Sequence, residues 1–224
     1  MSKEIENIER LIEKKGVQFR DFRITEVEVR EASEDEPEKL IIRGVPCVFN
    51  KETLLFRWDN WEYYEEVDKD AFDNADMNDV IFNYNHGGRV FARTRNGSLK
   101  LSVDKSTGLV METELWNDDE GHRQLYRDIK RGNIDKMSFA FTVQTMERTT
   151  EEVMVESIKV YKIHRKITAI DRLYDVSAVD IPAYDATEIS ARRMFDAESK
   201  EQEAESRKAV SLALARYNYA KERG

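Results

Sequence analysis

Apolar positions recur along this chain at two different periods, and the change from one to the other divides it. Near the start, Ile5, Ile8 and Ile12 stand three to four residues apart among Glu and Lys, which predicts a narrow amphipathic helix of about three turns. From Arg20 to Arg30 the pattern becomes alternating, with Phe22, Ile24, Val27 and Val29 set among charges, as in a strand. An acidic stretch with one proline, residues 31–39, reads as a solvated loop. Leu40 to Asn50, LIIRGVPCVFN, is apolar enough for a buried strand, with Pro46 marking an edge, a bulge or an end. Residues 51–79 are aromatic and acidic without a firm period; they predict turns and one short helix around Asp70 to Ala75.

Val80 to Tyr84 predicts a short strand running into Asn85-His86-Gly87-Gly88, where two glycines open backbone conformations that side chains forbid. Residues 98–104, SLKLSVD, alternate strictly, Lys105 to Gly108 turn, and LVMETELW alternates again, so the two runs predict a hairpin. Asp118 to Arg131 has acids at its start, bases at its end, Leu125 and Ile129 one turn apart, and Gly132 as a stop. That is a helix whose charges complement its dipole.

Lys136 to Val143 places Met137, Phe139, Phe141 and Val143 on one face and Ser138, Ala140 and Thr142 on the other. The bulky face is expected to pack inward and the small face to stay open. A charged turn near Glu147 to Glu152 is expected to lead into the strand pair VMVESIKVYKI, and residues 164–184 into two more strands closed by Pro182. From Thr187 onward Ala, Glu, Lys and Arg predict a helix of limited apolarity. The sum is an α+β chain, mainly antiparallel β, with a barrel-like domain over residues 20–186. An amphipathic helical tail, 1–19, precedes it, and a charged helical tail, 187–224, follows.

Composition narrows the possible partners. Charged residues make up 36% of the chain, against about 25% in an ordinary protein. The net charge is −9 and no Lys/Arg run of the kind that binds nucleic acid occurs, which argues against nucleic acid as a partner. One cysteine, Cys47, excludes an internal disulfide framework and a cysteine zinc cage, and fits a reducing compartment. The first residues lack the apolar run of a signal peptide, and nowhere do about 18 apolar residues stand together, so a soluble cytoplasmic chain with no membrane partner is expected. No phosphate loop or dinucleotide fingerprint occurs and the histidines lack ligand spacing, so no cofactor and no metal are expected.

Three histidines limit any imidazole chemistry. His122 sits at an exposed-looking helix start and reads as a surface residue; His164, in the basic run HRK, reads as structural or solvated. His86 stands where a strand ends in a glycine loop, a place where scaffolds display functional groups. Ser138, held between Met137 and Phe139, is the candidate nucleophile. A serine hydroxyl attacks near neutral pH only when an imidazole takes its proton and an acid orients that imidazole.

Five ordered blocks carry a resemblance. They are Arg43 to Pro46 (RGVP), the run NHGGRVFARTRNG from Asn85, the hairpin SLKLSVDKSTGLVMETEL, the run RGNIDKMSFAF from Arg131, and DVSAVDIPA from Asp175. In this order, across about residues 40 to 190, the chain resembles the prohead maturation proteases of tailed phages, serine peptidases similar in fold to the herpesvirus assemblins. The resemblance implies His86 as general base, Ser138 as nucleophile and Asp175 as third member, at a place where most relatives carry Glu and the assemblins a second His. Asp180, five residues on, is a rival acid, and His164 a rival second imidazole. Because strand side chains alternate, Asp175 and Asp180 are not expected to face His86 together. The resemblance also implies the substrates: the capsid protein precursor, its scaffolding or delta segment, and the protease itself. It implies that they are cut inside a procapsid in the host cytoplasm, by a homo-oligomer or shell-associated copies of the enzyme.

Overall fold

The computed structural model describes residues 18–23, 26–30 and 39–180, together with Lys208. Both expected helical tails therefore lie outside the described residues, except for the start of β1 and Lys208. The elements in chain order are β1 (Gln18–Arg23), β2 (Glu26–Arg30), β3 (Lys39–Val48), β4 (Thr53–Trp58), β5 (Trp61–Val67), β6 (Ile81–Tyr84) and β7 (Val90–Arg93). A 3-10 turn at Thr94–Asn96 leads to β8 (Leu99–Asp104), β9 (Gly108–Leu115), α1 (Glu120–Lys130), β10 (Lys136–Val155) and β11 (Ile158–Val179). They form two sheets. One has the order β1-β10-β11-β5-β4, with β6 and β7 attached beside β11; the other runs β2-β3-β9-β8. The expected α+β chain of mainly antiparallel strands is what forms, but as two facing sheets, neither closed on itself, rather than one continuous barrel.

The main core lies between the sheets. Ile42, Leu109 and Met111 from the smaller sheet meet Phe82, Met137, Phe139, Ile167 and Leu173 from the larger, and Leu125 and Ile129 of α1 close one side. The hairpin β8–β9 and the helix form where the sequence places them. Asp119 caps α1 by accepting from the His122 backbone N–H, and Gly132 ends it with φ 76°. Pro46 marks a bulge inside β3, a strand paired on both sides, because the register with β9 breaks between Gly44 and Cys47.

Three expectations fail for physical reasons. Residues 53–67 form the hairpin β4–β5, joined at Trp58 and Trp61 by a two-residue turn in which Asp59 has φ 53°. Asp70 to Ala75 make successive tight turns, with Ala71 bonded back to Asp68, Asp73 to Asp70 and Ala75 to Phe72, and no helix. Glu147 to Glu152 do not turn but continue β10, and the reversal comes at Glu156 and Ser157, both with positive φ. The acids on β10 are tolerated in a strand because bases on β11 lie opposite: Glu147 pairs in register with Lys166 and Glu151 with Lys162, and Glu152 is ion-paired to Lys159 at 2.6 Å. The segment 158–179 is accordingly one long strand rather than several, and Pro182 falls outside the described residues.

Candidate active site

β11 is the organising strand of the site. One edge pairs antiparallel with β10, placing Ser138 opposite Ser177; the other pairs parallel with β6, placing Asn83 opposite the same Ser177. Residues in register across a sheet project to the same face. Asn83, Ser177 and Ser138 therefore form a polar row, while Phe82, Val176, Ala178, Met137 and Phe139 point to the core. Asp175 shares the Ser177 face, two residues before it on β11.

β6 ends at Tyr84, and the chain turns back over this row through Asn85 and His86, at φ 50° and 55°. Here the expectation from sequence is corrected: the non-glycine residues adopt the left-handed conformation, and the glycines do not. Gly88 is needed for closeness instead, because a Cβ there would lie 2.7 Å from the Tyr84 carbonyl oxygen. The turn brings the His86 ring, only 4% exposed, to Asp175, with Nδ1 2.7 Å from Oδ1. Ser177 Oγ stands 3.1 Å from the same nitrogen and 2.9 Å from the same carboxylate oxygen, and it also contacts the Asn83 amide.

Asp180 takes a different position. It accepts from the Tyr84 hydroxyl at 2.5 Å and from Asn85 Nδ2 at 3.0 Å, while its backbone N–H donates to Asn85 Oδ1. Burial, followed by the hydrogen bond to Asp180, pushes the Tyr84 hydroxyl up to about 12. The two acids divide as strand alternation predicts: Asp175 holds the imidazole and Asp180 clasps the turn that carries it.

Ser138 departs from expectation in one respect. It is fully buried, as is Ala140, so the small face of β10 is covered rather than open. Its hydroxyl makes no hydrogen bond among the described residues. Its Cα lies across the ladder from that of Ser177, a separation of about 4.5–5.5 Å, which sets it one strand away from the imidazole.

The other two histidines are accounted for. His122 is buried, not a surface residue: its ring stacks on Trp116, meets Phe91 edge-on, and accepts the Trp116 backbone N–H at Nδ1, 3.1 Å away. Burial pushes its pKa down. His164 lies on the long hairpin, hydrogen-bonded to Glu52 at 2.5 Å and stacked on Tyr64. It stands eleven residues from Asp175 on one strand, roughly 35 Å at about 3.3 Å per residue, and so cannot be a second imidazole for His86.

Ser177 and Asn83 were not singled out by sequence reasoning. Their signal is the same-face spacing of Asp175-Val176-Ser177, which gains meaning only from the pairing with β6.

Comparison with known proteins adds the following. The chain matches the family described as caudovirus prohead serine protease over residues 25–202. A solved structure of the bacteriophage T4 capsid assembly protease, gp21, is similar over 74% of this chain and 98% of that one, with a TM-score of 0.40 and 11% identity. No curated protein matches the chain.

Proposed function

The chain belongs to the caudovirus prohead serine protease family, and from that premise we propose that Ser138, His86 and Asp175 carry out its peptide-bond cleavage. The protein is thus a protease of phage capsid maturation. The observation that carries the assignment is the 2.7 Å contact of His86 Nδ1 with Asp175 Oδ1, with the ring also against Ser177 in the row that contains Ser138. Asp175 engages Nδ1, so Nε2 is the nitrogen that takes the proton of Ser138. Ser138 Oγ bonds the peptide carbonyl carbon, and His86 returns the proton to the amine as the C–N bond breaks. Water, deprotonated by the same ring, then hydrolyses the acyl ester and regenerates the hydroxyl.

Ser138 is enclosed, so a peptide reaches it only after the cover over this face opens. A long or unformed nucleophile–base link is ordinary before substrate binds. The substrates in this reading are the capsid precursor with its scaffolding or delta segment, and the chain itself, cut within the procapsid. Residues 20–186 form the protease domain, and the charged tails 1–19 and 187–224 seat it among shell and scaffold subunits. The test is co-expression with the capsid precursor, following processed product by mass spectrometry. Ser138→Ala and His86→Ala should each abolish processing and any trimming of the chain's own ends. Equal processing by Ser138→Ala and the parent overturns the assignment and favours a silent assembly protein on the same fold.

A further inference from the structure

Ser177 touches the candidate base, its acid and Asn83 yet has no task in the cleavage just described. Resting on the reading of Ser138, His86 and Asp175 as the catalytic set, we propose that Ser177 is a positioning residue: it fixes the order of protons around Asp175 and so aims His86 at Ser138. Its hydroxyl lies 2.9 Å from Asp175 Oδ1 and 3.1 Å from His86 Nδ1, and contacts the side-chain amide of Asn83. All of this is out of water, with Ser177 0% exposed, Asn83 2% and Asp175 6%.

A hydroxyl has one proton, and it cannot donate to a carboxylate and to an amide oxygen at once. Were that proton given to Asn83, two oxygens would face each other at 2.9 Å between Ser177 and Asp175 with nothing between them. A half-turn of the Asn83 amide exchanges its oxygen for its N–H groups in the same space. The conflict at Ser177 is then removed. Asn83 donates to Ser177, Ser177 donates to Asp175, and His86 Nδ1–H donates to the same carboxylate. Only the Nδ1–H tautomer fits this order, and it leaves Nε2 as the acceptor. Ser177 is not itself the nucleophile, because it meets the ring at the nitrogen that Asp175 already holds.

The chain across β6, β11 and β10 thereby links the fold to the chemistry. Asn83 and Ser177 hold the carboxylate, the carboxylate holds the ring, and Ser138 sits on the next strand of the same row.

Two measurements test this on the full chain. The first needs no substrate: nitrogen NMR of protein labelled in its three histidines, with the His86 signal assigned by its loss in His86→Gln. The parent should show a single Nδ1–H tautomer at neutral pH, and Ser177→Ala a mixture. The second is the rate of processing of co-expressed capsid precursor. Loss of a hydrogen bond to a charged group predicts a fall of about 10- to 100-fold for Ser177→Ala. In an Asp175→Asn background the same change should add less than about twofold, since both act through one carboxylate. Asn83→Asp, which exchanges a donor for an acceptor, should lose activity as Ser177→Ala does. Should Ser177→Ala fail to fold, Ser177→Cys, nearly isosteric and a weaker donor, is expected to show a smaller loss in the same direction. Three results overturn the proposal: an unmixed Nδ1–H tautomer with parental processing in the Ser177 variants, losses that multiply with Asp175→Asn, or parental processing by Asn83→Asp. Full processing by Ser138→Ala instead sinks the catalytic assignment, while the tautomer measurement still reports on Ser177.

Discussion

Glu65 is a buried acid whose loss should destabilise the fold strongly. It lies on β5, 4% exposed, opposite Arg165 of β11 and within reach of Arg20 of β1, so it ties together three strands far apart in sequence. Its carboxylate accepts from Arg20 Nη2 at 2.6 Å, from Arg20 Nε and from Arg165 Nη1; Gln18 Oε1 accepts from both guanidiniums, at 3.2 and 2.9 Å. Burial pushes the Glu65 carboxyl up, but the two guanidiniums outweigh it and hold it below the usual range. Glu65→Gln keeps the shape and removes the charge that two buried cations share. Breaking a buried pair in this way costs about 3–5 kcal/mol, a large share of the roughly 5–15 kcal/mol of a whole domain. With a urea slope of about 2 kcal/mol/M, the unfolding midpoint should fall by about 2 M. A companion variant, Arg20→Met/Glu65→Leu/Arg165→Met, should unfold close to the parent, because replacing the whole cluster removes the desolvation cost with the attraction. A Glu65→Gln midpoint equal to the parent's would refute the reasoning, and so would a triple variant as weak as the single. The pH dependence has a definite sign. The folded carboxyl titrates below its unfolded value, so its stabilisation is present above about pH 4.3 and is lost as pH falls through the lowered folded value.

The remaining predictions concern single contacts. Gly44→Ala places a methyl against the Met137 sulfur; it should destabilise by about 1–3 kcal/mol, less in a Met137→Ala background, and a full penalty there would exclude the clash as the cause. His122 is held neutral by burial, so stability should fall as pH drops below about 6.5, where the unfolded chain takes up a proton that the folded one refuses. Thermal melts of His122→Gln should show a flatter slope between pH 7 and 5, and an unchanged slope would place that titration elsewhere. Asp180→Ala removes both side-chain bonds that clasp Tyr84 and Asn85. It should lower the melting temperature by about 2–4 °C, the equivalent of roughly 1 kcal/mol in a chain of this size, and slow processing more than Tyr84→Phe does; equal rates for both would mean the turn needs no clasp.

Local pattern carried the parts of the fold that local physics decides. The hairpin β8–β9 and α1 follow from strict alternation and from caps, which lie within a few residues of what they determine. The β4–β5 hairpin was missed because its turn, Asp59-Asn60, lacks glycine and its strands carry aromatic residues on both faces. The length of β10 was missed because charges at 147–152 read as a turn when their partners, on β11, come after the reversal. His122 looked solvated because its cover, Trp116 and Phe91, comes from other elements. At the site, motif blocks name the residues proposed to act there. What no linear reading supplied was that β6 and β10 flank the same stretch of β11, the fact that brings Asn83, Ser177 and Ser138 into one row.

In the proposed site an aspartate beside that row stands where the resemblance would put a longer glutamate. Asp175 is one methylene shorter, and the ring lies 2.7 Å from its carboxylate. The backbone at Asn85 and His86 carries the ring there through two successive left-handed residues, a conformation that costs about 1–3 kcal/mol for a non-glycine residue. Such strain persists only where the surroundings over-determine it. Here the Asn85 N–H is bonded to the Ala178 carbonyl, Asp180 clasps Asn85 from the strand end, and the Asp175 carboxylate holds the ring itself. Gly88 follows so closely on Tyr84 that no side chain fits there. Restoring the missing methylene with glutamate would therefore not lengthen a relaxed contact. It would push on a turn already fixed at three points, and the length of the acid and the strain of the turn are in this sense one feature of the site.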